Sequence, residues 1–275
     1  MNLRYLIPRF IRHVLPEKVV RFLLLRKWII RPGLETREPQ SAVERYQTAH
    51  AERGLSLQGK RIMVFGYGGR FDIGLALLDS GVGGAVMLEK YAPPDDAHNR
   101  LLLPRYEQYL SLNGREVRPA GSRLSLLEAD VRDLKPVDIQ PFDLIVSNSV
   151  YEHLEDVEGT TRALSVLTKP DGLHIHFVDL RDHFFKYPFE MLAYSEQTWR
   201  RWLNPSSNHN RYRIWDYRKV FEGSFDEVEI TVLQRDEAGF RKARPRIRSE
   251  FISGDLSEDA VTHIRIVAAK PKIRL

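Results

Sequence analysis

The chain has 275 residues, 43% hydrophobic and 29% charged, a balance that supports a packed core and argues against disorder. It contains no cysteine, which excludes disulfide scaffolds, thiolate zinc sites, iron–sulfur clusters and cysteine nucleophiles. The formal net charge is +5, yet residues 1–32 alone carry eight basic residues and one acidic residue. The positive excess therefore lies at the amino-terminal end, and the remaining residues sum to a charge of −2.

Residues 1–32 alternate short apolar runs with basic residues. The longest apolar run, residues 22–25, is far shorter than the roughly 20 residues that a membrane-spanning helix needs. The helical spacing of Leu6, Phe10 and Val14 predicts an amphipathic helix. Two interpretations stay open: a helix packed on the body with its basic face in solvent, or a helix that lies on anionic lipid or on a partner.

We expect residues 1–40 to form this basic extension and residues 41–275 to form one domain. Pro32-Gly33 and the polar residues after it are typical of a linker. Within the domain we expect two insertions, at about residues 179–222 and 234–260.

Short apolar runs alternate with helical patterns through the domain. A helix is predicted over residues 41–54, with Ser41 as N-cap and Glu44 in the capping-box position. Further helices are predicted at 72–80, 99–112 and 158–168, and strands at 61–65, 85–89, 124–129, 142–147, 173–178, 227–233 and 262–269. Strands separated by helices imply parallel crossovers, and hence a doubly wound α/β fold.

A glycine-rich turn follows the first predicted strand, in the run RIMVFGYGGRFDIG of residues 61–74. Glycines permit a sharp turn and a close ligand approach, and the next helix begins with free N–H groups. Glu89 ends the second strand, where an acid can accept hydrogen bonds from the ribose of a dinucleotide or of S-adenosylmethionine. On these residues alone, a turn without a ligand and an exposed strand-end acid stay open.

Residues 140–177 carry the most specific pattern, QPFDLIVSNSVYEHLEDVEGTTRALSVLTKPDGLHIHF. A Phe-Asp pair precedes the fourth strand, a Ser-Asn-Ser-Val-x-Glu-His-Leu turn follows it, and Leu-x-x-Pro-x-Gly precedes the fifth. Here the chain resembles the class I S-adenosylmethionine-dependent methyltransferases, over roughly residues 59–178. The resemblance implies a Rossmann-like, seven-stranded, mostly parallel sheet whose last strand inserts antiparallel between the fifth and sixth. We expect amino-terminal helices and a helical, aromatic cap around it.

The resemblance implies S-adenosylmethionine as cofactor and assigns residues to it by position. Gly66 and Gly68 match the turn near the methionine part, Glu89 matches the ribose-binding acid, and Asp130 matches the residue that accepts the adenine amino group. The expected cofactor residues are Gly66, Tyr67, Gly68, Glu89, Asp130, Val131, Ser147 and Asn148. Two positions depart from the family pattern, since Val64 replaces the usual acid and Arg70 replaces the third glycine, which puts the anchor of the methionine ammonium in doubt.

Methyl transfer depends mainly on proximity and alignment, with a base where the acceptor loses a proton. The candidates follow the fourth and fifth strands, because open α/β sheets bind ligands at the carboxyl ends of strands. We expect His183, His153 and Asp179 to be catalytic, His183 foremost, because the pKa of histidine lies near neutrality. The expected substrate residues are Tyr151, Arg181, Asp182 and Arg211. Both histidines have a structural alternative, which is to hold their loops.

The other expectations concern metals, partners and pathway. His174 and His176 share a strand face, but no third ligand accompanies them, so no metal is expected. The near-neutral body argues against nucleic acid, despite a basic cluster at residues 241–248. The expected function is methyl transfer to a hydroxyl or amine of a small, glycan or lipid-linked acceptor, in the cytoplasm and peripheral at the inner face of the membrane.

The family subgroup suggests cell-envelope polysaccharide biosynthesis as the setting. Two alternatives to this function stay open. The first is a non-catalytic binding module with the same fold. The second, less favoured, is a nicotinamide-dependent oxidoreductase that uses the same glycine turn.

Overall fold

The computed structural model describes residues 3–16, 19, 38–184, 186–205 and 208–272. The predicted linker at Pro32-Gly33 and most of the basic extension beyond residue 16 lie outside these residues. Two helices precede the sheet, α1 (Leu3–Val14) and α2 (Pro39–Ala51). No helix among the described residues is long and apolar enough to cross a membrane.

The strands are β1 (Arg61–Phe65), β2 (Gly84–Glu89), β3 (Leu110–Asn113), β4 (Glu116–Pro119), β5 (Leu124–Glu128), β6 (Phe142–Asn148), β7 (Thr168–Asp179), β8 (Phe225–Arg235) and β9 (Val261–Pro271). Seven of them form one sheet in the order β5-β2-β1-β6-β7-β9-β8. Neighbours from β5 to β7 are parallel, and β9 is antiparallel to both β7 and β8. This arrangement confirms the doubly wound sheet and its inserted last strand.

The remaining α-helices are α3 (Asp72–Asp79), α4 (Asp96–Asn99), α5 (Leu103–Tyr106), α6 (Val157–Val166), α7 (Glu196–Thr198), α8 (Ile214–Ser224), α9 (Glu237–Ala243) and α10 (Leu256–Asp259). Short 3₁₀ turns lie at Arg100–Leu102, Val131–Asp133, Pro136–Asp138, Tyr151–His153, Glu190–Ala193, Arg244–Arg246 and Ser249–Phe251, and a π-helical turn lies at Trp199–Leu203.

The core lies on both faces of the sheet, because central parallel strands are covered on both sides. Successive side chains of β1 point to opposite faces. Ile62 and Val64 pack into the core beneath α2 and α3, and Met63 and Phe65 pack into the core beneath α6 and α8. The continuous apolar run that predicted β1 therefore reflects burial on both sides.

Two predicted elements are wrong in detail. Helix α2 begins at Pro39 with Glu38 as N-cap, so Ser41 is not the cap. Proline suits the first helical turn because it needs no N–H partner there. The predicted helix at 99–112 ends at Tyr106, and a β3–β4 hairpin follows, turned by Gly114 at a φ of +61°.

Helix α1 is held on the body by a buried carboxylate. Asp182 is fully buried, accepts a hydrogen bond from the Tyr5 hydroxyl, and forms an ion pair with the Arg9 guanidinium. The ring of Tyr5 stacks on Tyr194 at 5.8 Å between centroids, and the Arg9 guanidinium lies 4.9 Å from the Trp199 ring. The side of α1 that faces the body is therefore largely polar.

The opposite side of α1 is apolar and exposed. Between 45% and 59% of the surface of Leu3, Ile7, Phe10, Ile11 and Val14 remains accessible. Helix α1 thus packs on the body, as one interpretation expected, and an apolar stripe, defined as these five residues, faces outward.

A chain of buried hydrogen bonds crosses β6 and β7. The Ser147 hydroxyl lies 2.8 Å from His176 Nδ1, His176 Nε2 lies 3.1 Å from His174 Nδ1, and His174 Nε2 lies 2.7 Å from the Thr168 hydroxyl. Burial lowers the pKa of His174 to about 3, and it lowers the pKa of His176 well below its ordinary value. Both rings are therefore neutral in the folded protein at neutral pH.

This burial predicts a loss of stability in acid. Below pH 6.5 the unfolded chain binds protons at His174 and His176 while the folded chain does not, so stability is complete above that pH and falls as pH falls. Well below pH 6.5, each such histidine contributes a slope of about 1.4 kcal/mol per pH unit. We expect His174→Gln to reduce the fall in unfolding free energy between pH 6.5 and pH 4, measured by urea titration and circular dichroism. An unchanged slope would contradict this account.

Candidate functional site

A cleft of about 430 Å³ opens at the carboxyl ends of β1, β2, β5 and β6. Gly66 follows β1, Glu89 ends β2, Asp130 follows β5 and Ser149 follows β6, and all four line the cleft. Parallel strands end at one edge of a sheet, so their loops meet there. The volume lies within the range of sites for small organic ligands.

The glycine turn brings β1 close to the loop after β6. Gly66 and Gly68 have φ angles of +76° and +70°, which favour glycine. A Cβ on Gly66 would lie 2.5 Å from a methyl carbon of Val150, so only glycine permits this approach. A Cβ on Gly68 would meet nothing within 4 Å, which leaves open space beside the turn.

Glu89 connects the glycine turn to the end of β2. Its carboxylate accepts the backbone N–H of Gly68 at 3.1 Å, and those of Lys90 and Tyr91 at 3.0 Å each. A carboxylate has about four acceptor positions, so these bonds fix its direction without using all of them.

Asp130 is ion-paired at the cleft wall. Its carboxylate contacts Arg132 at 2.6 Å and Lys90 Nζ at 2.9 Å, and Arg132 also reaches Asp156 at 3.0 Å. The hydrogen bond from Arg132 holds the pKa of Asp130 well below its ordinary value. An amino group of a ligand would compete with these two cations for the carboxylate.

The predicted cofactor residues divide between the cleft and the interior. Gly66, Glu89, Asp130 and Val131 line the cleft. The Tyr67 ring is buried against Phe71 at 5.9 Å between centroids, and Ser147 belongs to the buried histidine chain. The Asn148 side chain donates to the Ser149 hydroxyl at 3.3 Å.

Ser149, which the family resemblance places with Ser147 and Asn148 beside the methyl group, lines the cleft. It is the first residue beyond β6, and it has a φ of +56°. Its position just past a strand end is the signal that identifies it.

The structure also shows the surroundings of Val64 and Arg70, the two positions that depart from the family pattern. Val64 is fully buried in β1. Arg70 Nε contacts a carboxylate oxygen of Asp95 at 3.2 Å, and Arg70 is not among the residues that line the cleft.

Three histidines and one buried glutamate meet beside the cleft and form what we call the histidine cluster: Glu152, His153, His183 and His209. Ring centroids are 4.9 Å apart for His153 and His183, 4.6 Å for His183 and His209, and 5.7 Å for His153 and His209. Glu152 is 1% exposed, and its Oε1 lies 3.8 Å from His183 Nε2. Burial raises the pKa of Glu152 well above its ordinary value. His153 lines the cleft, so the cluster opens onto it.

Residues 208–210 clamp the loop that carries Glu152 and His153. His153 Nδ1 lies 2.8 Å from the Asn208 carbonyl oxygen, and the Asn208 amide donates to the His153 carbonyl at 3.0 Å. The Asn210 amide donates to the Tyr151 carbonyl at 2.7 Å. Because a carbonyl only accepts, Nδ1 of His153 carries the hydrogen and Nε2 keeps a lone pair. The signal for these residues was an Asn-His-Asn run among aromatics.

Asp179 and Arg181, both predicted as site residues, pair with each other. The Asp179 carboxylate accepts from Arg181 at 2.8 Å and lies 3.2 Å from His263 Nε2. Burial alone would raise the pKa of Asp179, but the hydrogen bonds from His263 and Arg181 lower it. The catalytic role of Asp179 and the substrate role of Arg181 stay predictions.

The other predicted substrate residues have structural contacts. Tyr151 is fully buried in the core beneath α6 and α8, and Asp182 holds α1. Arg211 is buried, donates to the Met191 carbonyl at 3.1 Å and pairs with Glu196. None of these three side chains lines the cleft, and their substrate roles also stay predictions.

Comparison with known proteins gives a family match for part of the chain. Residues 78–176 match the family described as "Methyltransferase domain". Ubiquinone biosynthesis O-methyltransferase of Vibrio atlanticus (strain LGP32) is 25% identical over 120 residues, which are 44% of this chain and 49% of that protein. The match thus spans about half the length of the curated relative.

Two solved structures share the fold. A putative sarcosine dimethylglycine methyltransferase from Galdieria sulphuraria has a TM-score of 0.51 at 12% identity, covering 85% of this chain and 87% of that one. Phosphoethanolamine N-methyltransferase 2 of Haemonchus contortus, in complex with phosphomonomethylethanolamine and S-adenosylhomocysteine, has a TM-score of 0.50 at 14% identity. That alignment covers 83% of this chain and 53% of the other. At these identities the likeness is one of fold.

The two glycines of the turn provide a matched test of the cleft geometry. Gly66→Ala and Gly68→Ala both place a side chain at a positive φ, which costs about 1–2 kcal/mol. Only Gly66→Ala adds a collision with Val150, and overpacking of this kind costs about 1–3 kcal/mol more. We expect urea unfolding to show the larger loss for Gly66→Ala, with partial recovery when Val150→Ala is added. Equal losses at the two glycines would contradict the close approach.

Proposed function

We propose that the chain is a class I S-adenosylmethionine-dependent methyltransferase and that it transfers a methyl group from S-adenosylmethionine to a hydroxyl or amine of a small acceptor. The observation that carries the proposal is the shared cleft. The glycine turn and the Glu89 carboxylate line the same cleft as His153, which leads to the histidine cluster. A cofactor end and an acceptor end thus adjoin at one edge of the sheet.

The cofactor end fits S-adenosylmethionine. The unused acceptor position of Glu89 suits a ribose hydroxyl, and the open space at Gly68 leaves room for the part of the cofactor near the turn. The backbone N–H of Val131 suits an adenine nitrogen, beside the Asp130 carboxylate that Lys90 and Arg132 hold. When bound, the cofactor supplies a methyl group on a positively charged sulfur.

The acceptor end is the histidine cluster. His153 is fixed through Asn208 and keeps an Nε2 lone pair, so it can accept a hydrogen bond from an acceptor hydroxyl or amine. Asp179 is engaged by Arg181 and His263, which makes it the weaker candidate for this role. The proposal therefore places the proton-handling groups among His153 and His183.

A second candidate function is a non-catalytic binding module with the same fold. The observation that favours it is Val64, which is fully buried in β1 and offers no charge to a methionine ammonium.

We further propose that the apolar stripe of α1 contacts an anionic membrane surface, where a lipid-linked or glycan acceptor would lie. Trp202 extends the stripe, since it is 46% exposed and its ring lies 6.1 Å from that of Phe10. The Arg201 guanidinium lies 5.1 Å from the Trp202 ring, and Arg4 is exposed on α1. Apolar residues flanked by arginines are typical of helices that lie on anionic lipid.

Calorimetry with S-adenosylmethionine, S-adenosylhomocysteine and NAD tests the cofactor end. We expect the first two to bind, and Glu89→Ala to weaken their binding by about 1.5–3 kcal/mol through a lost charge-assisted hydrogen bond. Glu128→Ala is the matched control, because Glu128 pairs with Glu89 across β5 and β2 but does not line the cleft.

The outcomes separate the three hypotheses. Failure of both S-adenosyl compounds to bind would contradict the methyltransferase proposal. Binding of NAD in their place would support an oxidoreductase. The binding module would be supported if S-adenosylmethionine binds but mass spectrometry detects no methylated compound in a cell extract incubated with the chain.

Vesicle co-sedimentation tests the membrane contact. We expect the chain to sediment with vesicles that contain phosphatidylglycerol, and the double variant Ile7→Glu, Ile11→Glu to remain in the supernatant, since it places acids on the stripe. The control double variant Leu101→Glu, Val137→Glu changes residues that are 75% and 87% exposed elsewhere, and it should sediment like the unmodified chain. Equal sedimentation of both double variants would rule the contact out.

A further inference from the structure

The histidine cluster has the geometry of a metal site. One ligand atom from each of Glu152, His153 and His183 lies within 4.8 Å of the other two. A zinc ion binds imidazole nitrogen and carboxylate oxygen at about 2.0–2.2 Å, so ligand atoms on one ion are about 3–4.4 Å apart. The separation of Glu152 Oε1 and His183 Nε2, 3.8 Å, lies within that range. We propose that Glu152, His153 and His183 bind one divalent transition-metal ion at the edge of the cleft.

The buried carboxylate is the strongest indication of a cation. Glu152 is 1% exposed, and no side chain in the described part of the chain donates a hydrogen bond to its carboxylate. No lysine or arginine of that part lies within 4 Å of it, and its nearest basic group is His183 Nε2 at 3.8 Å. Burial of a carboxylate without partners is costly, and coordination to a metal ion is one of the ways in which proteins compensate for it.

The orientation of His153 fits a metal ligand. Its Nδ1 donates to the Asn208 carbonyl oxygen at 2.8 Å, so Nε2 is the ring nitrogen that carries the lone pair. Metal-ligating histidines usually donate their other ring nitrogen to a carbonyl or a carboxylate in this way, which fixes both tautomer and ring orientation. Asn208 therefore acts as the positioning residue for His153.

His183 is held in place through its neighbour in the chain, Asp182. It directly follows Asp182, whose carboxylate holds Tyr5 and Arg9 of α1 and accepts the Phe184 N–H at 2.8 Å. The His209 ring packs 4.6 Å from the His183 ring and extends the cluster without being required as a ligand. Two imidazoles and one carboxylate form a donor set that suits divalent zinc, iron or manganese and leaves coordination positions open.

This site is distinct from the pair His174 and His176 on β7. His174 and His176 are bonded to each other, and their remaining nitrogens contact Thr168 and Ser147. This pair therefore offers no metal site, in line with its lack of a third ligand in the sequence. Glu152 and His153 lie on the loop after β6, His183 lies on the loop after β7, and only the fold brings the two loops together.

The ion would act on the acceptor, and this consequence rests on the proposed function. A metal-bound hydroxyl loses its proton more readily than a free one. The acceptor hydroxyl gives its proton to solvent, its oxygen forms a bond to the methyl carbon, and the sulfur–methyl bond breaks with its electron pair left on the sulfur of S-adenosylhomocysteine. With the ion bound, His153 and His183 would serve as its ligands, and the ion would replace them in promoting loss of the acceptor proton; the proposed methyl transfer itself is unchanged.

Metal binding is tested on the full chain without a histidine tag, dialysed against EDTA and in the absence of S-adenosylmethionine. We expect calorimetry with Zn²⁺ and Mn²⁺ to give one ion per chain, and Co²⁺ to give visible absorption bands of a coordinated ion. Glu152→Gln and His183→Ala should each weaken Zn²⁺ binding at least 100-fold. His98→Ala is the matched control, because His98 pairs with Asp72 at 2.8 Å away from the cluster, and its Zn²⁺ affinity should be unchanged.

The outcomes separate the metal site from the methyltransferase proposal. Absence of stoichiometric binding of Zn²⁺, Mn²⁺ and Co²⁺ to the unmodified chain would overturn the metal site, whether or not the variants fold. Zn²⁺ affinity unchanged in folded His183→Ala would overturn it too. Methyl transfer that persists fully in EDTA would limit the ion to a role outside the reaction, whereas metal binding without S-adenosylmethionine binding would leave the site standing and the proposed function refuted.

Discussion

The buried carboxylate of Asp182 determines how the amino-terminal helix and the functional edge of the sheet relate to each other. It holds Tyr5 and Arg9 of α1, although Arg9 lies 173 residues earlier in the sequence. A buried carboxylate needs such partners, because burial without them would be costly. Since these two polar side chains must face inward, the apolar residues of α1 face outward. The same carboxylate also accepts the Phe184 N–H, and so it fixes the loop after β7 that carries His183.

The remainder of the site depends on the parallel pairing of β5, β2, β1 and β6. Their loops meet at one edge, and each loop brings a different chemical group to the cleft. The β1 turn brings backbone N–H groups and open space, β2 brings the Glu89 carboxylate, and the loop after β6 brings Ser149 and His153. The proposed cofactor end and the proposed acceptor end of the cleft therefore adjoin at this edge.

Much of the fold was predictable from the sequence, because its strands are short apolar runs ended by glycine or by polar residues. The β1 strand and Glu89 followed from such local patterns, and the Glu-His pair of the β6 loop from the family resemblance. The start of α2 was misplaced because Pro39 begins the helix ahead of Ser41. The β3–β4 hairpin was missed because residues 99–112 carry an apolar pattern that a helix and a short antiparallel pair can share.

Features of the site that depend on distant contacts were not predictable. Ser147 lies within β6 and contacts the buried His176, whereas Ser149 lies beyond the strand at a positive φ and lines the cleft. The outward apolar face of α1 depends on Asp182, and the meeting of His209 with His153 depends on the path of a loop 56 residues away in sequence. Local periodicity carries no information about such partners.

A crystal structure of the full chain grown with S-adenosylhomocysteine tests the central claim, that this cleft is the cofactor site, most directly. The account predicts ribose hydroxyls within hydrogen-bond distance of the Glu89 carboxylate, adenine beside Asp130 and Val131, and the sulfur directed toward Ser149 and His153. The compound bound elsewhere, or bound in the cleft with its ribose away from Glu89, would contradict it.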